Sequence, residues 1–245
     1  MKYQETKPCN PLKDHIHSFW ELKGEENDGG WERIFPDGCP GLVVNLGDSC
    51  ITDNGAIAME YGKTYAVGAM TTFKESFVDE NTHLVGVCFK PSAFSSFYIY
   101  ASLNDLKDQT VLFDQNLSFD KDKLYDENHD AYLNRFLVER MNRKYNRIVS
   151  LLQDIHDSKG CLSIDELSKE NHISKRQVER IFKDSVGLTP KEYSKIIRFQ
   201  SALSLIQSSA KRRSLLDIAF ECGYYDHSHL NREIKRITGL LPSRL

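Results

Sequence analysis

The stretch SKRQVERIFKDSVGLTP, from Ser174 to Pro190, returns 52 residues later as DHSHLNREIKRITGLLP, from Asp226 to Pro242. Aligned without gaps, the copies share Arg180/Arg232, Lys183/Lys235, Gly187/Gly239, Leu188/Leu240 and Pro190/Pro242, five identities in 17 positions, and a capping residue, Ser174 or Asp226, leads each. In the first copy Val178, Ile181, Phe182 and Val186 fall on one helical face and Arg176, Glu179, Arg180 and Lys183 on another. The second repeats the division, with Leu230, Ile234 and Ile237 inward and Ser228, Asn231, Arg232 and Lys235 outward. Two copies are too few for a solenoid, which needs about three units to bury a continuous core. The chain is therefore constrained to hold two similar short helices on one body, each packed by one face and presenting a polar, basic one.

The flanking segments fit that constraint. In LSIDELSKEN, Ser163 and Glu166 have capping-box spacing, with Ile164 and Leu167 on one side. A break at Asn171-His172 leads to Ser174. TPKEYSKIIRFQSALSLIQ places Pro190 in a first turn and offers Tyr193, Ile196, Ile197, Leu203 and Ile206 for burial, a helix of about 18 residues or roughly 27 Å. SSAKRRS reads as a polar loop, and LLDIAFECGYY repeats the support helix, with Gly223 suited to a left-handed turn. The support helices align best at an offset of 51 (Ile164/Leu215, Leu167/Ile218, Ser168/Ala219), so the second turn holds one extra residue. A supporting helix followed by a capped, basic-faced helix is the helix-turn-helix arrangement. Its second helix fits the major groove, where Arg can donate two hydrogen bonds to guanine and Asn can bond adenine bidentately. A connecting helix of roughly 27 Å, with packing offsets, would hold two such helices near the ~34 Å between successive major-groove faces.

IDELSKENHISKRQVERIFKDSVGLTPKEYSKIIRFQSAL followed by DIAFECGYYDHSHLNREIKRITGLLP resembles the C-terminal DNA-binding domain of AraC/XylS-type transcription regulators, over about residues 163–245. The likeness lies in the paired units, the G-L-x-P ending of each and the IA...GY before the second. It implies a sequence-specific regulator, not an enzyme, whose partners are double-stranded DNA and RNA polymerase. By motif position it assigns base reading to Arg176, Glu179 and Arg180 in the first helix and to His227, Ser228, Asn231 and Arg232 in the second. Phosphate contacts fall to Ser174, Lys175, Lys183, Lys235 and Arg236. His172 departs from the family's usual turn glycine, and little final helix follows Pro242. Glu179 has two readings, accepting from cytosine N4 or pairing with Arg176 or Lys183 along its own helix; the second is favoured.

Charge divides the chain as well. Residues 161–245 carry 15 Lys+Arg against 10 Asp+Glu, whereas residues 1–160 carry 17 against 25. A basic domain beside an acidic one suits a protein in which only the smaller part meets a polyanion. Up to about residue 117 the chain reads as strands: WERIF (31–35), LVVNL (42–46), TYAVGAM (64–70), ESFVD (75–79) and HLVGVCF (83–89), with Asp53-Asn54-Gly55 as a hairpin turn. From Ser118 to about 160, Leu124, Ala131, Phe136, Leu137 and Met141, then Ile148, Leu151, Leu152 and Ile155, predict amphipathic helices that link the halves and pair two copies of the chain. The expected architecture is α+β in two domains: a β-rich domain over 1–117 forming a barrel, a helical segment over 118–160, and an all-α double helix-turn-helix over 161–245.

FPDGCPGLVVNLGD and VGVCFKPSAFSSF resemble the β-rich sensor-like half of some members of the same family, which implies a cupin-like barrel and a small-molecule effector. Trp20, Trp31, Arg33 and Phe35 are candidates for its pocket, as aromatics closed by one cation. His15-x-His17-x3-Glu21 has the spacing of a cupin metal motif, but no glycine leads it and no later histidine motif follows, so ordinary strand residues are preferred and no metal or cofactor is expected. The six cysteines (9, 39, 50, 88, 161, 222) show no CxxC and no tight Cys/His group, and so read as reduced packing residues. No P-loop, dinucleotide or nucleophile-elbow motif appears. Apolar runs such as LVGVCF (84–89) fall far short of the ~20 residues needed to cross a bilayer, and MKYQETKPCN lacks a signal core, which predicts a cytoplasmic protein.

Overall fold

The computed structural model describes residues 1–99, 102–126, 128–142, 148–208 and 213–245. Ten strands build the first half: β1 (Lys2–Thr6), β2 (Ile16–Lys23), β3 (Gly29–Ile34), β4 (Gly41–Asn45), β5 (Cys50–Thr52), β6 (Ile57–Met59), β7 (Thr64–Val67), β8 (Lys74–Asp79), β9 (His83–Phe89) and β10 (Thr110–Leu112). The central β4 buries Leu42, Val43 and Val44 in succession, the continuous apolar pattern of a strand covered on both faces, and then Asn45, whose side chain donates to the Asp48 and Met59 carbonyls. β8 instead alternates, burying Lys74, Ser76 and Val78. The Asp53-Asn54-Gly55 turn joins β5 to β6, all three residues at positive φ.

An antiparallel six-stranded sheet runs β1-β2-β9-β4-β7-β10, and β3-β8 and β5-β6 form two ribbons. β5 meets β8 through Thr52 Oγ1···Ser76 Oγ at 2.6 Å and a Cys50 Sγ to Phe77 carbonyl contact at 3.4 Å. Between β2 and β9 the chain thus places β2, β4, β7 and β9 in the large sheet and β3, β5, β6 and β8 in the ribbons. Among the described residues the ladders do not close the barrel expected from the sequence. Closure needs ladders that continue around every strand, but among these residues β3 pairs with β8, β5 with β6, and the large sheet runs from β1 to β10.

One face of the large sheet buries Phe19, Leu42, Val44, Val85, Val87 and Phe89 against Phe94, Phe97, Tyr98 and Leu106. Two helices close this core, α1 (Lys121–Asp126) with Leu124 and α2 (His129–Arg140) with Tyr132, Leu133 and Leu137. The next helix, α3 (Ile148–Asp157), buries Ile148, Leu151 and Ile155 elsewhere, in the first helical core of the C-terminal half. The segment expected to link the halves is thereby shared between two cores.

That half contains α4 (Ile164–Glu170), α5 (Lys175–Val186), α6 (Pro190–Ser208), α7 (Leu215–Glu221) and α8 (His227–Thr238). The middle of the SSAKRRS stretch, 209–212, lies outside the described residues. Leu167, Val178, Phe182, Val186, Tyr193 and Ile196 form the first helical core; Phe199, Ala202, Ile218, Leu230, Ile234 and Ile237 form the second. The 19-residue α6 passes through both. The β-rich half reaches each of them. Ala69 joins the first and Phe35 the second, where its ring meets Phe199 edge-on at 6.4 Å. Lys107 Nζ lies 2.8 Å from Glu192 Oε1, and the Phe73 N–H donates to the Ile237 carbonyl at 2.7 Å.

Candidate nucleic-acid interface

Each unit is assembled by caps the sequence encodes locally. The Ser163 hydroxyl accepts from the Glu166 N–H while the Glu166 carboxylate accepts from Ser163, and the N–H and hydroxyl of Ser163 hold that carboxyl below its ordinary range. Ser214 and Asp217 do the same for α7, the Ser214 hydroxyl and N–H lowering Asp217. Sequence reading missed this second box because its N3 residue is Asp rather than Glu or Gln. Ser174 and Asp226 cap α5 and α8 by accepting from the Gln177 and His229 N–H groups. The turns differ in length as the 51-residue and 52-residue offsets require. His172, at φ +53, takes in the first turn the left-handed conformation that Gly223, at φ +70, takes in the second.

α5 and α8 have 12 residues each. α5 buries Val178, Phe182 and Val186 and exposes Arg176, Glu179, Arg180 and Lys183, which line a solvent-open hollow together with Ser174, Gln177 and Asp184. Among the described residues Glu179 forms no ion pair, so the favoured intrahelical partnership with Arg176 or Lys183 is not made. Lys175 pairs with Asp165 of the supporting helix. α8 buries Leu230, Ile234 and Ile237 and exposes His227, Ser228, Arg232, Lys235 and Arg236. Asn231 does not stand outward as expected. It is half-buried and its Oδ1 is enclosed, because it borders the face that carries Leu230 and Ile234 against the core. Glu233 is buried, 3.4 Å from Arg236 and 3.9 Å from Arg198 of α6.

Both α5 and α8 end in a left-handed glycine, Gly187 (φ +84) and Gly239 (φ +71), and both ends abut the β-rich half. A Cβ on Gly187 would stand 2.7 Å from the Leu103 carbonyl oxygen, and one on Gly239 2.8 Å from the Phe73 ring. The Phe73 ring lies 4.7 Å under the Arg33 guanidinium, which also donates to the Thr238 carbonyl at 3.3 Å and pairs with Glu75 at 2.8 Å. The repeated glycines thus allow close approach of a second domain at the C-terminal turns of α5 and α8, leaving the exposed basic faces free.

Between the β layers lies a cavity of about 410 Å³. Its wall is mainly apolar, including Val43, Met59, Met70, Val78 and Leu84. The polar floor is internally satisfied: buried Lys74 lies 2.6 Å from Asp53, whose other oxygen accepts from Thr110 at 2.8 Å. Of the pocket candidates, Trp20 and Phe35 line it. Trp31 and Arg33 do not, because alternation along β3 turns them away; Trp31 is 47% exposed against Phe77, and Arg33 faces the C-terminal half. His15-x-His17-x3-Glu21 is dispersed: the His15 ring meets Phe97, His17 lines the cavity, and Glu21 lies 2.9 Å from His83. Asp37, Cys39 and Cys88, also in the wall, were invisible as a group because the last is remote in sequence.

A family model described as a helix-turn-helix domain matches residues 167–245, and one described as a domain of unknown function matches residues 4–112. The chain is 30% identical over 93 residues to the HTH-type transcriptional activator RhaS of Klebsiella pneumoniae (strain 342), covering 38% of this chain and 32% of that protein. It is 28% identical over 81 residues to the HTH-type transcriptional regulator ArgR of Pseudomonas aeruginosa, covering 33% and 24%. The matched region spans about a third or less of these relatives' length. A solved structure of ToxT from Vibrio cholerae superposes with a TM-score of 0.53 at 10% identity, over 100% of this chain and 97% of that one, a likeness of fold. Among the described residues no helix is long and apolar enough to cross a membrane.

Proposed function

We propose that this chain, which carries a C-terminal helix-turn-helix domain of the AraC/XylS type, is a one-component transcription regulator that reads DNA with both α5 and α8 and is tuned by a small effector held between its β layers. Regulators of this type bind DNA and are not enzymes. The observation that carries the reading is the doubled unit: two capped 12-residue helices, each with its own core and an exposed Arg and Lys at matching positions, joined by one helix. At 19 residues, α6 is about 28 Å long, suited to placing α5 and α8 in successive major grooves. Base reading is assigned to Arg176, Glu179, Arg180, His227, Ser228 and Arg232, with Asn231 as a reader only if its side chain turns outward on binding. Ser174, Lys175, Lys183, Lys235 and Arg236 serve the phosphates.

The division of β2 to β9 between the large sheet and the ribbons that face it, with β3, β5, β6 and β8 in the ribbons, supports a cupin-like jelly roll for the β-rich half. A cavity of about 410 Å³ with a satisfied polar floor suits a small, largely apolar effector. Since the same half touches the ends of both reading helices, an effector that binds one docking arrangement more tightly shifts the fraction of molecules able to engage both grooves. Contact with RNA polymerase and pairing of two copies belong to the same reading. Selection of bound sequences from a random DNA pool, with the full chain at two salt concentrations, tests it. Two enriched segments about ten base pairs apart are expected; binding without any motif, lost at moderate salt, would reject it.

A further inference from the structure

The loop between β3 and β4 serves two surfaces. On one side Phe35 meets Phe199, the Pro36 carbonyl accepts from Gln200 Nε2, and Gly38 lies against the Tyr193 ring, so that the loop is fastened to α6. On the other side Asp37 and Cys39 turn into the cavity wall, where β9 presents Cys88. The backbone fixes this meeting: Cys88 is in register with Gly41, the Phe89 N–H donates to the Pro40 carbonyl at 2.9 Å, and the Cys39 N–H donates to Asp37 Oδ1 at 2.9 Å. One oxygen of Asp37 and the two sulfurs all lie within 4.8 Å of one another, with Cys88 Sγ 3.6 Å from Asp37 Oδ2. The cysteines are free thiols.

We propose that Asp37, Cys39 and Cys88 bind a thiophilic divalent ion of the zinc class, on the loop that joins the effector cavity to α6. A tetrahedral zinc site with Zn–S of about 2.3 Å and Zn–O of about 2.0–2.2 Å separates its sulfur and oxygen ligands by about 3.5–3.7 Å. The Cys88–Asp37 separation already has that length, and Cys39 Sγ lies within 4.8 Å of Cys88 Sγ and of an Asp37 oxygen. Two sulfurs and one carboxylate select a soft or borderline ion over magnesium or calcium, which want oxygen ligands in larger number. A fourth position opens toward the cavity, where His17 also lies, carried there by the irregularity in β2 between Ile16 and Ser18. Binding joins the loop to β9, within one residue of the contacts with Tyr193 and α6. The regulatory consequence, a change in how the two reading helices are held, rests on the proposed DNA-binding function; the ion site itself does not.

The test uses the reduced, chelator-treated full-length protein titrated with Co²⁺, whose bonds to thiolate give an ultraviolet charge-transfer band. One equivalent with that band and tetrahedral visible absorption is expected, displaced by Zn²⁺. Cys39→Ser and Cys88→Ser should each lose about 100-fold in Co²⁺ affinity, since altering even an outer partner of a metal ligand costs about 10–100-fold; Cys161→Ser should match the unmutated protein. Independently of any variant, Zn²⁺ should shield Cys39 and Cys88, alone among the six cysteines, from alkylation mapped by peptide mass. No thiolate band, a band that survives in both variants, or alkylation of these two cysteines undiminished by Zn²⁺ would overturn the site. DNA affinity of the Zn²⁺-loaded and stripped protein separates the layers. Equal affinity rejects the coupling, whereas no DNA binding by either sample rejects the regulator reading and leaves the ion site standing on its absorption.

Discussion

Replacing Gly239 by alanine tests whether the β-rich half grips α8. The residue sits at φ +71, where any side chain costs about 1–2 kcal/mol. The new Cβ would also stand 2.8 Å from Phe73 Cε1 and 3.2 Å from Arg33 Nη1, well inside an ordinary contact of about 3.5–4.0 Å. The Phe73 ring cannot simply retreat, because Arg33 covers it at 4.7 Å and its own N–H is bonded to the Ile237 carbonyl. Relief therefore comes from parting the two surfaces, and a strain of about 2 kcal/mol corresponds to roughly a thirtyfold shift toward the parted state. Amide hydrogen exchange of the Phe73 peptide reads this directly, since that N–H is bonded across the contact. Exchange should accelerate by about tenfold or more. Gly62→Ala is the comparator: it has the same left-handed strain, at φ +69, but meets only the Lys121 side chain of α1, away from the contact with α8. Unchanged Phe73 exchange in Gly239→Ala, or equal acceleration in Gly62→Ala, would refute the reasoning.

The reading residues make their own demands. Arg180→Ala and Arg232→Ala should each lose about 1–3 kcal/mol of binding and relax preference at bases about one turn apart, and site selection that finds preference intact in both would remove them as readers. Lys183→Ala should weaken binding to all sequences alike and reduce the salt slope by about one, checked by titration at several salt concentrations. Ser214→Ala removes half of a reciprocal cap and should destabilise the second unit by about 1 kcal/mol, read as a lower denaturant midpoint. Burial raises the Glu192 carboxyl, but Lys107 and then the N–H and hydroxyl of Thr189 overcome it and leave the group below its ordinary value of 4.5. A depressed folded-state pKa gives stability that is full above about 4.5 and is lost as pH falls through the lower folded value. Lys107→Ala should shrink that acid-side loss, and an identical pH profile in the variant would show that the bridge does not contribute.

The C-terminal half was legible because its signals are local. Caps, helical periodicity and turn residues act within a few positions, so the repeat could be divided into support, turn and reading helices, including the extra residue in the second turn. The same locality explains the exposed Arg180, Lys183, Arg232 and Lys235. It fails at Asn231, which is half-buried with its Oδ1 enclosed, and at Glu179, where periodicity offered partners that the side chains do not take.

The runs that became β3, β4, β7, β8 and β9 were visible as β-branched and aromatic stretches, but the short strands β1, β5, β6 and β10, and all of the pairing, were not. A strand's partners lie far along the chain, so nothing near β3 announces β8, and the open two-layered arrangement in place of a closed barrel emerges only when the ladders are formed. The same distance hid the chemistry of the cavity wall. Cys39 and Cys88 were scattered cysteines until β4 and β9 came into register, and Arg33, read as a pocket cation, was turned by strand alternation toward the other domain. Sequence by itself determined that this protein carries two helix-turn-helix units on a β-rich partner, because caps and faces are written in neighbouring residues. Only tertiary structure decided what the partner does with them: that it meets α5 and α8 at their glycine ends, and that one loop links its cavity to α6, since both depend on surfaces brought together across the whole length of the chain.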